Sequence, residues 1–195
     1  MNPILDRKRI LIFLALAFGI AWAGALLLYL TGGLVNNPFT FLILTVVYMG
    51  APTYAHVLTR VITHEGWGNL YLRPELRRER LYWAVAWFAP GVLTIVGMIV
   101  FFVLYPQYYD PTLGAVKALF EAQAAMTGQP VPDVDPWMYA ISQTVIAFVF
   151  APLINAFATF GEEFGWRAYL QPKLLPLGGR LAMLLMGVIW GVWHW

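Results

Sequence analysis

Long apolar runs separated by short polar clusters set the pattern of this chain. Asp, Glu, Lys and Arg are absent from residues 10–59, 81–109, 136–161 and 181–195. A helix needs about 20 apolar residues to cross the hydrocarbon layer of a bilayer. The pattern therefore predicts four complete spans and part of a fifth, at about 10–30, 39–59, 81–104, 137–170 and 181–195. Thr31-Gly32-Gly33 and Asn36-Asn37-Pro38 supply turn chemistry after the first run, and Tyr105-Pro106 closes the third. Pro172 is expected to end the fourth at about Leu170, because it disfavours helical geometry at Gln171. The expected fold is all-α, a polytopic transmembrane helix bundle forming a single membrane-embedded domain over residues 1–195.

Composition supports this reading. Hydrophobic residues make up 61% of the 195 and charged residues 11%, against roughly 25% charged in soluble domains. A water-soluble fold of this length could not bury so much apolar surface. The net charge of +2 is too small to indicate a nucleic-acid partner. Cysteine is absent, which excludes disulfides, thiolate metal sites and a Cys nucleophile.

The placement of the charges gives an orientation. Arg7, Lys8 and Arg9 precede the first span, and Arg60, Arg73, Arg77, Arg78 and Arg80 cluster after the second. The 106–136 connection is acidic, with Asp110, Glu121, Asp133 and Asp135 against Lys117, while Arg167, Lys173 and Arg180 return the next connection to basic. Basic connections favour the cytoplasmic side, so the N-terminus is expected inside and the acidic connection outside. A cell membrane is the expected location, with a bacterial inner membrane preferred and the lipid bilayer itself a partner. Arg7-Lys8-Arg9 and Ala21-Trp22-Ala23 also fit a signal peptide, but the apolar run continues to Leu30, which favours an uncleaved anchor.

Candidate chemistry sits where the apolar pattern breaks, at Gly161-Glu162-Glu163-Phe164-Gly165-Trp166-Arg167. If the fourth helix runs to Leu170, Glu162 lies roughly 13 Å inside its end at 1.5 Å per residue. Ionisable groups at such depth are costly and mark a cavity or a partner. Glu163 and Arg167 are four apart and share a helical face, so Arg167 can neutralise Glu163. Glu162 points about 100° away and is freer to take a proton. Three readings stay open for the pair alone: a base for hydrolysis, a solvated helix-end ion pair, or a proton relay in a small transporter. Gly161 and Gly165 form a small-xxx-small face that would let another helix approach. The second element is Trp190-Gly191-Val192-Trp193-His194 on the last helix, where Gly187 and Gly191 suggest another close contact face. His56 and His64 are read as packed or loop residues.

Together these elements resemble the CPBP family of intramembrane proteases, which includes the type II CAAX prenyl endopeptidases and bacterial bacteriocin-immunity proteins. The resemblance rests on Glu162-Glu163-x-x-x-Arg167 within GEEFGWRAYLQPKL and on Trp190-x-x-x-His194, in place of the more usual Phe-x-x-x-His. It covers about residues 147–195 specifically. It implies an endopeptidase that cleaves peptide bonds of membrane-associated substrates, in the CAAX branch removing the last three residues of a prenylated protein. Glu162 would activate water, His194 would hold or polarise it, and Glu163 and Arg167 would shape the site. The resemblance leaves the cofactor open: a divalent metal such as zinc at Glu162 and His194, or a glutamate-activated water alone.

One element of the family pattern is missing. A later His followed four residues on by Asn or Asp would supply further groups for the oxyanion or the water, and the chain stops one residue after His194. A helix ending in mid-membrane would also leave carbonyls unsatisfied. The expectation is a truncated member, inactive on its own as these 195 residues. The competing expectations are a non-catalytic membrane binding or immunity factor of the same family and a small proton-coupled transporter using Glu162.

Overall fold

The computed structural model describes residues 5–73 and 75–195. Every regular element among them is helical. Four helices are long and apolar enough to cross a membrane: α1 (Arg7–Leu30), α2 (Thr40–Ile62), α3 (Arg80–Leu104) and, after the shorter α4 (Gly114–Thr127), α5 (Pro136–Leu177). A further apolar helix, α6 (Gly179–Trp193), ends the chain. The chain falls into two compact units, Met1–Arg73 with Asn155–Trp195, and Pro74–Ile154.

In the first unit, α1 starts at Asp6, whose carboxylate accepts from the Arg9 backbone N–H at 3.2 Å and pairs with the Arg9 guanidinium at 2.8 Å. Burial would raise the Asp6 pKa, but these bonds to Arg9 outweigh it and hold the carboxyl below its ordinary value. Helix α1 buries Ile10, Phe13, Ala17, Ala21, Gly24 and Leu28, a stripe at steps of three and four along one face. Small residues in that stripe bring α2 close. Against Gly24, a Cβ would lie 3.1 Å from the Val47 side chain. The core of this unit gathers Phe13 and Ala17 of α1, Ala51 and Ala55 of α2, Trp166, Tyr169 and Leu170 of α5, and Ala182, Met186 and Trp193 of α6. Lipid tails are as apolar as these side chains, so tight packing and hydrogen bonds, rather than escape from water, hold such helices together.

Pro172 does not end α5. Between Trp166 and Leu170 the helix widens to a π-turn, and the Gln171 N–H bonds the Trp166 carbonyl five residues back. Pro172 then falls in the first turn of the α-segment Gln171–Leu174, where its missing N–H costs little. The turn into α6 comes later, at Gly178, whose φ of 93° suits glycine.

In the second unit, α3 faces the Phe148 region of α5. Gly91 leaves room for the Phe148 ring, which a Cβ there would overlap, and the Trp87 indole N–H donates to the Phe148 carbonyl at 2.9 Å. The acidic connection holds α4, a run of good helix formers that no apolar periodicity announces. Asp110 caps its start, accepting from Thr112 and from the Gly114 N–H, and these bonds keep its pKa below the ordinary carboxylate value. Phe120 packs edge-on against Tyr139 with ring centroids 4.9 Å apart.

Candidate functional site

All four residues singled out by sequence lie in the first unit. Glu162 and Glu163 are half-buried on α5, Arg167 is more exposed one turn on, and His194 caps the end of α6. Their placement follows from glycines. At Gly161 a Cβ would come within 2.8 Å of the Met49 carbonyl of α2, and at Gly165 it would collide with Pro52. The Gly161/Gly165 face is therefore the contact that brings α5 onto α2, with the carboxylates beside it. Gly187 and Gly191 do not act this way. Nothing among the described residues approaches their Cβ positions, because α6 packs through Ala182, Met186 and Trp193 on a different face.

Glu163 and Arg167 form the expected i,i+4 ion pair. Arg167 also reaches across to α6, its guanidinium 5.4 Å from the Trp190 ring centroid. Trp190 stacks obliquely near His194, with centroids 6.2 Å apart. The His194 Nδ1 lies 3.0 Å from the Trp190 carbonyl. That carbonyl can only accept, so Nδ1 carries a proton and donates to it. Glu162 lies within electrostatic range of His194 and Tyr48, and beside the Trp190 indole. The Trp190 N–H is buried and has no hydrogen-bond partner within bonding geometry among the described residues, although the Glu162 carboxylate is its near neighbour. Tyr48 is in turn fixed by donating to the Trp193 carbonyl at 2.9 Å.

Residues 137–195 match the family model described as "Rce1-like: Type II CAAX prenyl endopeptidase Rce1-like". The matched segment contains both motif elements, in agreement with the CPBP resemblance carried by Glu162-Glu163-x-x-x-Arg167 and Trp190-x-x-x-His194. No curated protein and no solved structure matches the chain. With its apolar helices and a membrane-protease family match, this is a multi-pass membrane protein.

Within the Rce1-like segment the donor set does not fit a zinc centre. A catalytic zinc takes three protein ligands, and no group of three or more His, Cys, Asp or Glu side chains converges among the described residues. Glu163 is engaged by Arg167, which leaves Glu162 and His194 as the available donors.

A groove of about 400 Å³ opens beside the Glu163–Arg167 pair, with Glu163, Arg167 and Gln171 along one edge and Phe160, Tyr71 and Leu175 among its apolar walls. It offers an extended chain apolar surface next to a charged pair.

Sequence reasoning passed over the residues behind the site. His56 of α2 is fully buried. Its Nδ1 lies 2.9 Å from the Phe164 carbonyl, and its Nε2 accepts from Arg60 Nε at 2.7 Å. Arg60 is itself buried and bonds the Gly66 and Asn69 carbonyls. Next to it, Glu65 takes hydrogen bonds from Lys173 and, at 2.8 Å, from the Tyr169 hydroxyl. Burial alone would raise the Glu65 pKa, but these donors and the nearby cations lower it on balance. A signal was present: Thr53, His56 and Arg60 repeat at steps of three and four, a polar stripe down one face of an apolar span.

Proposed function

We propose that this protein is an intramembrane endopeptidase in which Glu162 removes a proton from water as it attacks a peptide carbonyl. His194 helps hold that water. Glu163 and Arg167 fix the local charge, Arg167 by bridging Glu163 to the Trp190 face. The observation that carries the reading is the meeting of the two motifs on α5 and α6, where the Arg167 guanidinium lies 5.4 Å from the Trp190 ring centroid. The Rce1-like match over the same residues supports it independently. No step is assigned to a metal, since Glu162 and His194 alone make an incomplete ligand set.

The substrate is a peptide or protein held at the membrane, entering along the apolar groove beside Glu163 and Arg167. The basic clusters around Arg7–Arg9 and Arg73–Arg80 support an N-terminus on the cytoplasmic side.

The test is cleavage of a membrane-anchored peptide by the full protein in proteoliposomes. Glu162→Gln keeps the side-chain shape and removes the base, and should lower the rate by about 10²- to 10⁴-fold. Glu163→Gln and Arg167→Ala should give smaller losses. Full cleavage or full cellular function with Glu162→Gln would sink the hydrolase reading and favour a non-catalytic binding role.

A further inference from the structure

We infer that Thr53 and His56 of α2 are positioning residues that set the rotation and depth of the Glu162–Glu163 pair through the two backbone carbonyls that bracket it. The inference rests on the reading of Glu162 as the base. Thr53 Oγ1 donates to the Gly161 carbonyl at 2.7 Å, immediately before the pair. His56 Nδ1 lies 2.9 Å from the Phe164 carbonyl, immediately after it.

The tautomer is dictated by the partners. Arg60 can only donate, so His56 Nε2 must accept, and the ring proton sits on Nδ1, where it meets the Phe164 carbonyl. Arg60 is anchored in turn by the Gly66 and Asn69 carbonyls. The His56 ring is held between Phe164 and Tyr169, at centroid distances of 4.4 and 4.5 Å.

Two donors three residues apart on α2 thus meet two acceptors three residues apart on α5. A one-residue slip turns a helix by about 100° and shifts it about 1.5 Å, which would break both bonds together. The glycine contacts bring the two helices close, and the paired bonds choose the register at which they stop. Neither side chain donates to a carboxylate among the described residues, so both act through the backbone and not on the reacting atoms.

The chain contains no cysteine, which allows a readout independent of cleavage. In the full protein in proteoliposomes, Thr53→Val removes the bond to Gly161, and His56→Leu removes the bond to Phe164 together with the acceptor for Arg60. Thr53→Ser keeps the hydroxyl, and His56→Asn keeps an N–H close to where Nδ1 stands. Cleavage constants are measured for each variant, and the alkylation rate of the single thiol introduced by Glu162→Cys is measured in the same backgrounds. Each bond-removing variant should lower kcat by about tenfold, and the pair by about 100-fold, since ångström-scale misplacement costs that much. KM should stay unchanged, Ser and Asn should restore most of kcat, and the alkylation rate of the introduced thiol should shift several-fold in the double variant alone.

A folded double variant with unchanged kcat and unchanged alkylation would overturn the inference. So would His56→Asn behaving no better than His56→Leu. Should Glu162→Gln leave cleavage intact, the base reading fails, and the alkylation rate by itself still decides whether Thr53 and His56 position residue 162.

Discussion

Helices α1 and α3 are nearly the same length, 24 and 25 residues, and both are apolar enough to span a membrane. Yet α1 buries six residues inside its unit while α3 buries none. Hydropathy therefore does not distinguish them; small residues and placed polar groups do. Helix α1 offers Gly24 to Val47 of α2, the alanines Ala17, Ala21, Ala51 and Ala55 are buried in the shared core, and α2 offers Thr53, His56 and Arg60 to α5. Helix α3 meets α5 within its own unit at Phe148, through the Trp87 indole bond and the Gly91 contact. In a bilayer, where burial brings no hydrophobic gain, the unit with more close contacts and internal hydrogen bonds is the one that can hold side chains in a fixed geometry. The candidate site is in that unit.

Bulk added at a glycine gives the sharpest contrast. Gly165→Leu must displace Pro52 and should cost about 3 kcal/mol or more, with loss of the folded first unit. Gly97→Leu, where nothing lies within 4 Å, should change stability by less than about 0.5 kcal/mol. Reversible unfolding in mixed micelles reads both, and equal effects would remove the distinction between the units.

Removing a buried cation comes next. Arg60→Met takes away the donor to His56 and to two loop carbonyls, and should cost about 3 kcal/mol by leaving them unpaired. The same unfolding measurement checks it, with a loss of under about 1 kcal/mol, the value of one ordinary bond, counting against a structural role for the stripe.

A smaller effect follows from Glu65. Its pKa is lowered on folding, so its contribution is fully present above the ordinary value of 4.5 and is lost as pH falls through the lower folded value. Glu65→Gln should cost about 2 kcal/mol at neutral pH, and the gap to wild type should close below pH 4.5. Thermal unfolding followed by helix signal across that range would show whether the gap closes.

The mildest change belongs to the second unit. Trp87→Phe removes the single bond to the Phe148 carbonyl while keeping an aromatic ring, and should cost about 1 kcal/mol. A loss as large as that from Arg60→Met would mean that the second unit, too, depends on internal polar bonds.

Much of the architecture is legible in the apolar pattern alone. The spans at 10–30, 39–59 and 81–104 match α1, α2 and α3 closely because uninterrupted apolar runs leave a bilayer helix little freedom over where it ends. The Glu163–Arg167 pair is legible because i,i+4 spacing is a property of the helix alone. The end of α5 is not, since the π-turn at Trp166–Leu170 that lets Pro172 stay helical is a local choice of hydrogen bonds that no spacing announces.

The sequence by itself determined an all-helical membrane protein, an ion pair beside a lone carboxylate, and a second motif with a histidine at its end. These follow from rules that act within one helix or between helix and lipid. Tertiary structure alone decided which glycines are contacts: Gly161 and Gly165 meet α2, while Gly187 and Gly191 meet nothing among the described residues. It also decided that Thr53 and His56 stand behind the carboxylates rather than in an idle apolar span. The physical reason is that a helix fixes the angle between its own side chains and leaves its rotation about its axis free. Only packing against a neighbour removes that last freedom.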